Sequence, residues 1–155
     1  MRVLLAILAS VPLMMVLASC SAPETLRVRQ FHLRDTKVAT GDRFIRAETN
    51  RRLHGAVSEE ERALRLGNYY HMRWRGLSGT QPVRVVFEYR QVRTGALVKK
   101  VEAVAPASSL GKGKGDFEIA LAGEDYQKNG RVLAWRTTLY EGESVVATKQ
   151  SYLWD

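Results

Sequence analysis

The chain reads as an all-β protein, an antiparallel β-sandwich of about seven strands with one short helix. Three observations point there. Several segments alternate apolar and polar residues with a period of two, the mark of a strand with one buried face. Turn residues punctuate those segments at short intervals. Strand follows strand without the alternating helices of a parallel α/β sheet.

Residues 26–33 make the first strand, with Leu26 and Val28 on one face and Phe31 and Leu33 on the other. That change of parity predicts a bulge or a weak edge. Residues 34–57 are polar and irregular, broken by Gly41 and Gly55, and are expected to form a solvated loop. Ser58-Glu59-Glu60-Glu61 matches a capping box, in which Ser58 accepts the Glu61 amide and the Glu61 carboxylate reaches back. It opens a short helix over 59–66, with Gly67 suited to a left-handed C-terminal position.

From there the period is two. In 69–75, Tyr70, Met72 and Trp74 alternate with Tyr69, His71, Arg73 and Arg75. In 83–91, Val83, Val85, Phe87 and Tyr89 share a face. Residues 97–104 follow an Arg93-Thr94-Gly95-Ala96 turn as a further strand. Phe117, Ile119 and Leu121 mark the next, after a Ser-, Gly- and Lys-rich loop over 105–115. Residues 131–140 carry Leu133, Trp135, Thr137 and Leu139 on one face. Glu141-Gly142-Glu143 turns the chain, and 144–154 return as the last strand. Asp125-Tyr126, shortly before Gly130 and the Trp135 strand, resembles the tyrosine corner of immunoglobulin-like sandwiches, which implies that topology for the domain. An eight-stranded membrane barrel is set aside, because many outward positions are Arg, Lys or Glu.

The N-terminus is built differently. Met1-Arg2 is followed by an apolar run, Val3 to Leu17, broken by Ser10 and Pro12. The run is about 15 residues, short of the ~20 of a spanning helix, and is laid out as a secretory signal. It ends in Leu17-Ala18-Ser19-Cys20, which contains the only cysteine. This stretch resembles the lipobox of bacterial lipoproteins: an aliphatic residue, two small residues and the cysteine. The resemblance implies cleavage before Cys20, a diacylglyceryl thioether on its sulfur and a permanent lipid anchor. Ser21 in place of Asp implies the outer membrane, facing the periplasm, rather than the inner membrane. The organisation is then a signal peptide over 1–19, a lipidated cysteine and tether over 20–25, and the sandwich over 26–155. Five residues between Cys20 and the first strand reach at most about 17 Å, so the domain is expected close to the bilayer.

Removing 19 of 155 residues leaves 136, one domain with a real core. The net charge is +8, about +7 once Arg2 is lost, which favours anionic partners. For an exported, tethered domain these are envelope components or envelope proteins rather than nucleic acid. With Cys20 acylated no thiol remains for a disulfide, zinc–thiolate or nucleophile. His32, His54 and His71 have no metal-ligand spacing. Gly111-Lys112-Gly113-Lys114-Gly115 lacks the spacing of a phosphate loop and precedes a strand. Glu124-Asp125 lies in a turn, and the 59–61 carboxylates are explained by capping. No cofactor, metal or catalytic set is expected.

The candidate contact residues are basic and aromatic. Arg43, Arg46, Arg51 and Arg52 form the densest basic cluster. Trp74, Tyr89 and Trp135 are expected in the core, whereas Tyr69, Tyr140 and Trp154 are placed in a binding patch beside Arg73, Arg75 and Arg136. The sequence therefore favours a non-catalytic, lipid-anchored binding or assembly module. A cell-wall hydrolase and a purely structural subunit of an envelope complex are the alternatives.

Overall fold

The computed structural model describes residues 24–37, 41–107 and 111–155; the signal segment, the lipobox and Cys20 lie outside the described residues. The described chain folds into seven strands and three α-helices. A three-stranded antiparallel sheet has the order β1 (Leu26–Leu33), β2 (Gly67–Trp74), β5 (Gly115–Ala122). A four-stranded sheet has the order β4 (Lys99–Ala105), β3 (Val83–Gln91), β6 (Val132–Glu141), β7 (Ser144–Gln150). Every pairing is antiparallel.

The two sheets bury their facing sides against each other. Leu26, Tyr70, Met72, Trp74, Ile119 and Leu121 from one sheet meet Val83, Val85, Phe87, Tyr89 and Leu139 from the other. The Tyr70 and Phe87 rings lie 4.7 Å apart across the interface. Trp74 and Tyr89 are buried as the alternation requires; Trp135 is half-buried at the rim, its indole N–H donating to Gln30 at 3.1 Å.

β1 has continuous register and no bulge. Its change of parity has another cause: both its faces are covered in part. Leu26 faces the opposite sheet, whereas Phe31 lies on the outer side, where it helps line a cleft beneath the first helix. In β6 the expected face of Leu133, Trp135, Thr137 and Leu139 breaks at a bulge. Arg90 pairs with Ala134 and Gln91 with Val132, so Leu133 is extra and turns outward while Val132 and Ala134 are buried. The buried Asn68 side chain accepts the Val132 amide at 3.0 Å beside this bulge.

Three helices replace the single one expected. The segment expected to be irregular holds α1 (Arg43–Leu53). Its sequence has no apolar stripe, so periodicity does not find it. It is set instead by Asp42, whose side chain accepts the Phe44 amide, and by Glu48 pairing with Arg51 and Arg52. α2 (Glu59–Ala63) has the full capping box. Gly67 is not its left-handed cap but the first residue of β2, where an added Cβ would stand 2.4 Å from the Leu121 carbonyl oxygen. α3 (Glu124–Asn129) occupies the expected turn before β6, between positive-φ Gly123 and Gly130. The last strand stops at Gln150, because Trp154 turns back to bond the Ser151 carbonyl.

Candidate functional site

The outward positions of the three-stranded sheet alternate by strand geometry, and register decides which of them meet. Arg27 stands opposite Arg73, and Arg29 opposite His71. Arg75 follows β2 and is tied to the incoming chain: its amide donates to the Thr25 carbonyl at 3.0 Å and its Nε to the Glu24 carbonyl at 3.4 Å. Together these side chains line a cavity of about 190 Å³. Two carboxylates lie nearby, and both have partners. Glu24 pairs with Lys149 at 2.6 Å, which holds its carboxyl below the usual range. Asp116, opposite Arg73, meets His71 at 3.2 Å.

α1 forms a shelf over the other half of this face. Arg52 lies over the Tyr69 ring, 4.0 Å from its centroid, and bonds both oxygens of Glu118; Arg51 adds a contact at 3.1 Å. Hydrogen bonds from Arg52, then Arg51, hold the Glu118 carboxyl below its usual range. Glu48 is held down in the same way, chiefly by Arg51. Tyr69 is 6% exposed, and burial pushes its hydroxyl pKa up. Between α1 and the sheet runs a cleft of about 660 Å³, whose wall includes Arg29 and His71 and whose rim carries Phe44 and Ile45.

Arg136 and Trp154 lie on the opposite sheet. Arg136 bonds Glu88 at 2.7 Å, and the Trp154 indole sits 4.9 Å from the Arg136 guanidinium and 5.1 Å from that of Arg90. Tyr140 is covered by Arg84 at 4.0 Å. The sandwich thus separates residues that the sequence grouped. Arg73 and Arg75 belong to one outer face, Arg136 and Trp154 to the other. Tyr69 is buried beneath Arg52, and Arg51 and Arg52 spend their charge on Glu48 and Glu118. Arg43 and Arg46 remain exposed on α1. Arg27 and Arg29 were missed; their shared parity in β1 was the available signal.

The other polar motifs are engaged in the fold. Gly113 packs against the Leu77 backbone. Asp125 accepts from Lys99, Gln91 and Asn129; burial works to raise its pKa, but these hydrogen bonds outweigh it and leave the carboxyl low. Tyr126 does not form a tyrosine corner: it lies in α3, and its hydroxyl meets His32 Nε2 at 2.8 Å. Among the described residues no group of three or more His, Cys, Asp or Glu side chains is placed to hold a metal, and no helix is long and apolar enough to cross a membrane. Comparison of the chain with protein-family models, with curated proteins and with solved structures finds no match.

Proposed function

We propose that this chain is a lipid-anchored, non-catalytic module of the bacterial cell envelope that presents a basic surface to an anionic envelope component. The observation that carries the reading is the cluster of Arg27, Arg29, Arg73 and Arg75 at the end of the domain where the chain arrives from Cys20. The lipobox supplies the anchor, with the outer membrane facing the periplasm as its destination. A fixed array of guanidiniums supplies recognition of negative charge without any reacting group. Labelling cells with radioactive palmitate tests the anchor: the wild type takes up label, and Cys20→Ser abolishes both the label and membrane retention. An unlabelled wild type, or a variant still held in the membrane fraction, ends this reading.

We also infer an immunoglobulin-like topology. Its support is the strand order, with the first, second and fifth strands in one sheet and the third, sixth and seventh in the other; the fourth has moved beside the third. An experimental structure in which the sheets close into a barrel would overturn it.

A further inference from the structure

The arginines of this protein fall into two kinds. Arg51, Arg52 and Arg136 bond carboxylates, and Arg90 and Arg93 bond backbone carbonyls. Arg27, Arg29 and Arg73 have no hydrogen bond or ion pair among the described residues, although they stand side by side. Arg27 and Arg73 are direct cross-strand partners, with Cβ atoms about 5 Å apart, where like charges repel and work against the sheet. An external anion would convert that repulsion into attraction. Beside them Phe44 and Ile45 are 70% and 49% exposed, adjacent on the first turn of α1 and flanked by Arg43 and Arg46. Phe44 and Ile45 share one cleft with Arg29 and His71, and those two also line the cavity with Arg27, Arg73 and Arg75. The two hollows share a wall: unpaired guanidiniums lie beside a small apolar projection, and the carboxylates in the cleft, Glu48, Glu118 and Asp116, are bonded to Arg51, Arg52 and His71.

We propose that this face docks the domain on the anionic phospholipid headgroups of the membrane that carries its anchor. The guanidiniums bind headgroup phosphates while Phe44 and Ile45 enter the boundary between headgroups and acyl chains. Three observations select a bilayer as the occupant: the unpaired charge, the exposed apolar pair within it, and the entry of the chain at this end, where Thr25 is bonded to Arg75. The inference rests on the lipoprotein reading for the last of these, because the five residues after Cys20 reach about 17 Å. Docking orients the domain. The outer face of the three-stranded sheet turns to the membrane, and that of the four-stranded sheet, with its internally paired charges, faces the aqueous phase.

The core cluster of the described residues runs from Leu26 to Leu139, and the unacylated chain over 20–155 carrying Cys20→Ser serves for the test, its folding checked by a cooperative thermal melt. Cosedimentation with phosphatidylcholine vesicles, with and without phosphatidylglycerol, reads the binding. The domain is expected to bind the phosphatidylglycerol vesicles, to leave neutral ones in solution and to be released by added salt. Each arginine near such a surface contributes about five-fold to partitioning. Arg27→Gln with Arg73→Gln should therefore weaken binding about 25-fold without lowering the melting temperature, since it removes a repulsion. Phe44→Ser with Ile45→Ser should weaken it further, whereas Arg136→Gln on the opposite sheet should leave it unchanged. Equal binding to neutral vesicles, or no loss in the Arg27/Arg73 variant, overturns the proposal. Release by millimolar glycerol phosphate also overturns it, because the site then takes a soluble phosphate rather than a bilayer. Palmitate labelling of Cys20 reads a different atom, so failure of the anchor and failure of the docking face are told apart.

Discussion

Arg52 and Glu118 lock α1 onto the three-stranded sheet: one guanidinium bonds both carboxylate oxygens while its face covers Tyr69. The Arg52 side chain is only 9% exposed. Removing Glu118 leaves the Arg52 guanidinium with Glu48 alone, and removing Arg52 leaves Glu118 with only the longer contact to Arg51. Arg52→Ala or Glu118→Ala should each cost on the order of 2 kcal/mol, lowering the melting temperature by about 6 °C. Arg52→Lys should recover little, because an ammonium neither forks to a carboxylate nor stacks as a plane. The double variant should cost less than the sum of the two singles, which a thermal-melt double-mutant cycle measures.

Acid should weaken the protein in two stages. Burial, with Arg34 and Arg131 nearby, pushes the His32 pKa down. A histidine with a depressed folded pKa contributes stability that is complete above its unfolded value of about 6.5 and is lost as pH falls through the folded value. The first loss should therefore begin below about pH 6.5 and disappear in His32→Gln. Glu48, Glu118 and Asp125 are also depressed; their contribution is present above an unfolded value of about 4 and lost only as pH drops below it. Urea titrations at stepped pH separate the two stages. A His32→Gln protein with the same slope between pH 6.5 and 5 would show that His32 is not the titrating group.

The two outer glycines of the Gly111–Gly113 turn differ sharply in their surroundings. Gly113 has φ +65°, and a Cβ there would stand 2.0 Å from the Leu77 carbonyl oxygen; at Gly111 a Cβ meets nothing within 4 Å. Gly113→Ala should cost about 2 kcal/mol or more, and Gly111→Ala less than about 0.5 kcal/mol. Equal melting temperatures for the two variants would remove the close approach as the reason for Gly113.

The C-terminal tail is held by cation–aromatic contact and by Arg90, which bonds the Leu153 and Trp154 carbonyls. Trp154→Ala should cost about 1–2 kcal/mol in stability. Because Trp154 lies on the four-stranded sheet, the change should leave vesicle binding as it was. A loss of binding with unaltered stability would place Trp154 in the contact surface instead.

Strand periodicity is a local property, and it was legible: β3 spans the residues its alternation marks, and Tyr70, Met72, Trp74, Val85 and Phe87 are buried as their parity requires. The capping box of α2 and the Gly142 turn were legible for the same reason, since each is written in adjacent residues. α1 was not, because ion pairs and a buried arginine hold it rather than an apolar stripe. The grouping of the arginines lay beyond the sequence altogether. Arg27 and Arg73 are 46 residues apart, and only the register that buries Leu26, Tyr70 and Met72 on the inner face sets them opposite each other on the outer one. The same closure puts Arg136 on the far sheet. The sequence by itself determined which residues point in and which point out along β2 and β3, though not through the bulge at the start of β6. Tertiary structure decided which outward residues meet, because closing the core fixes the register and the outer faces must follow.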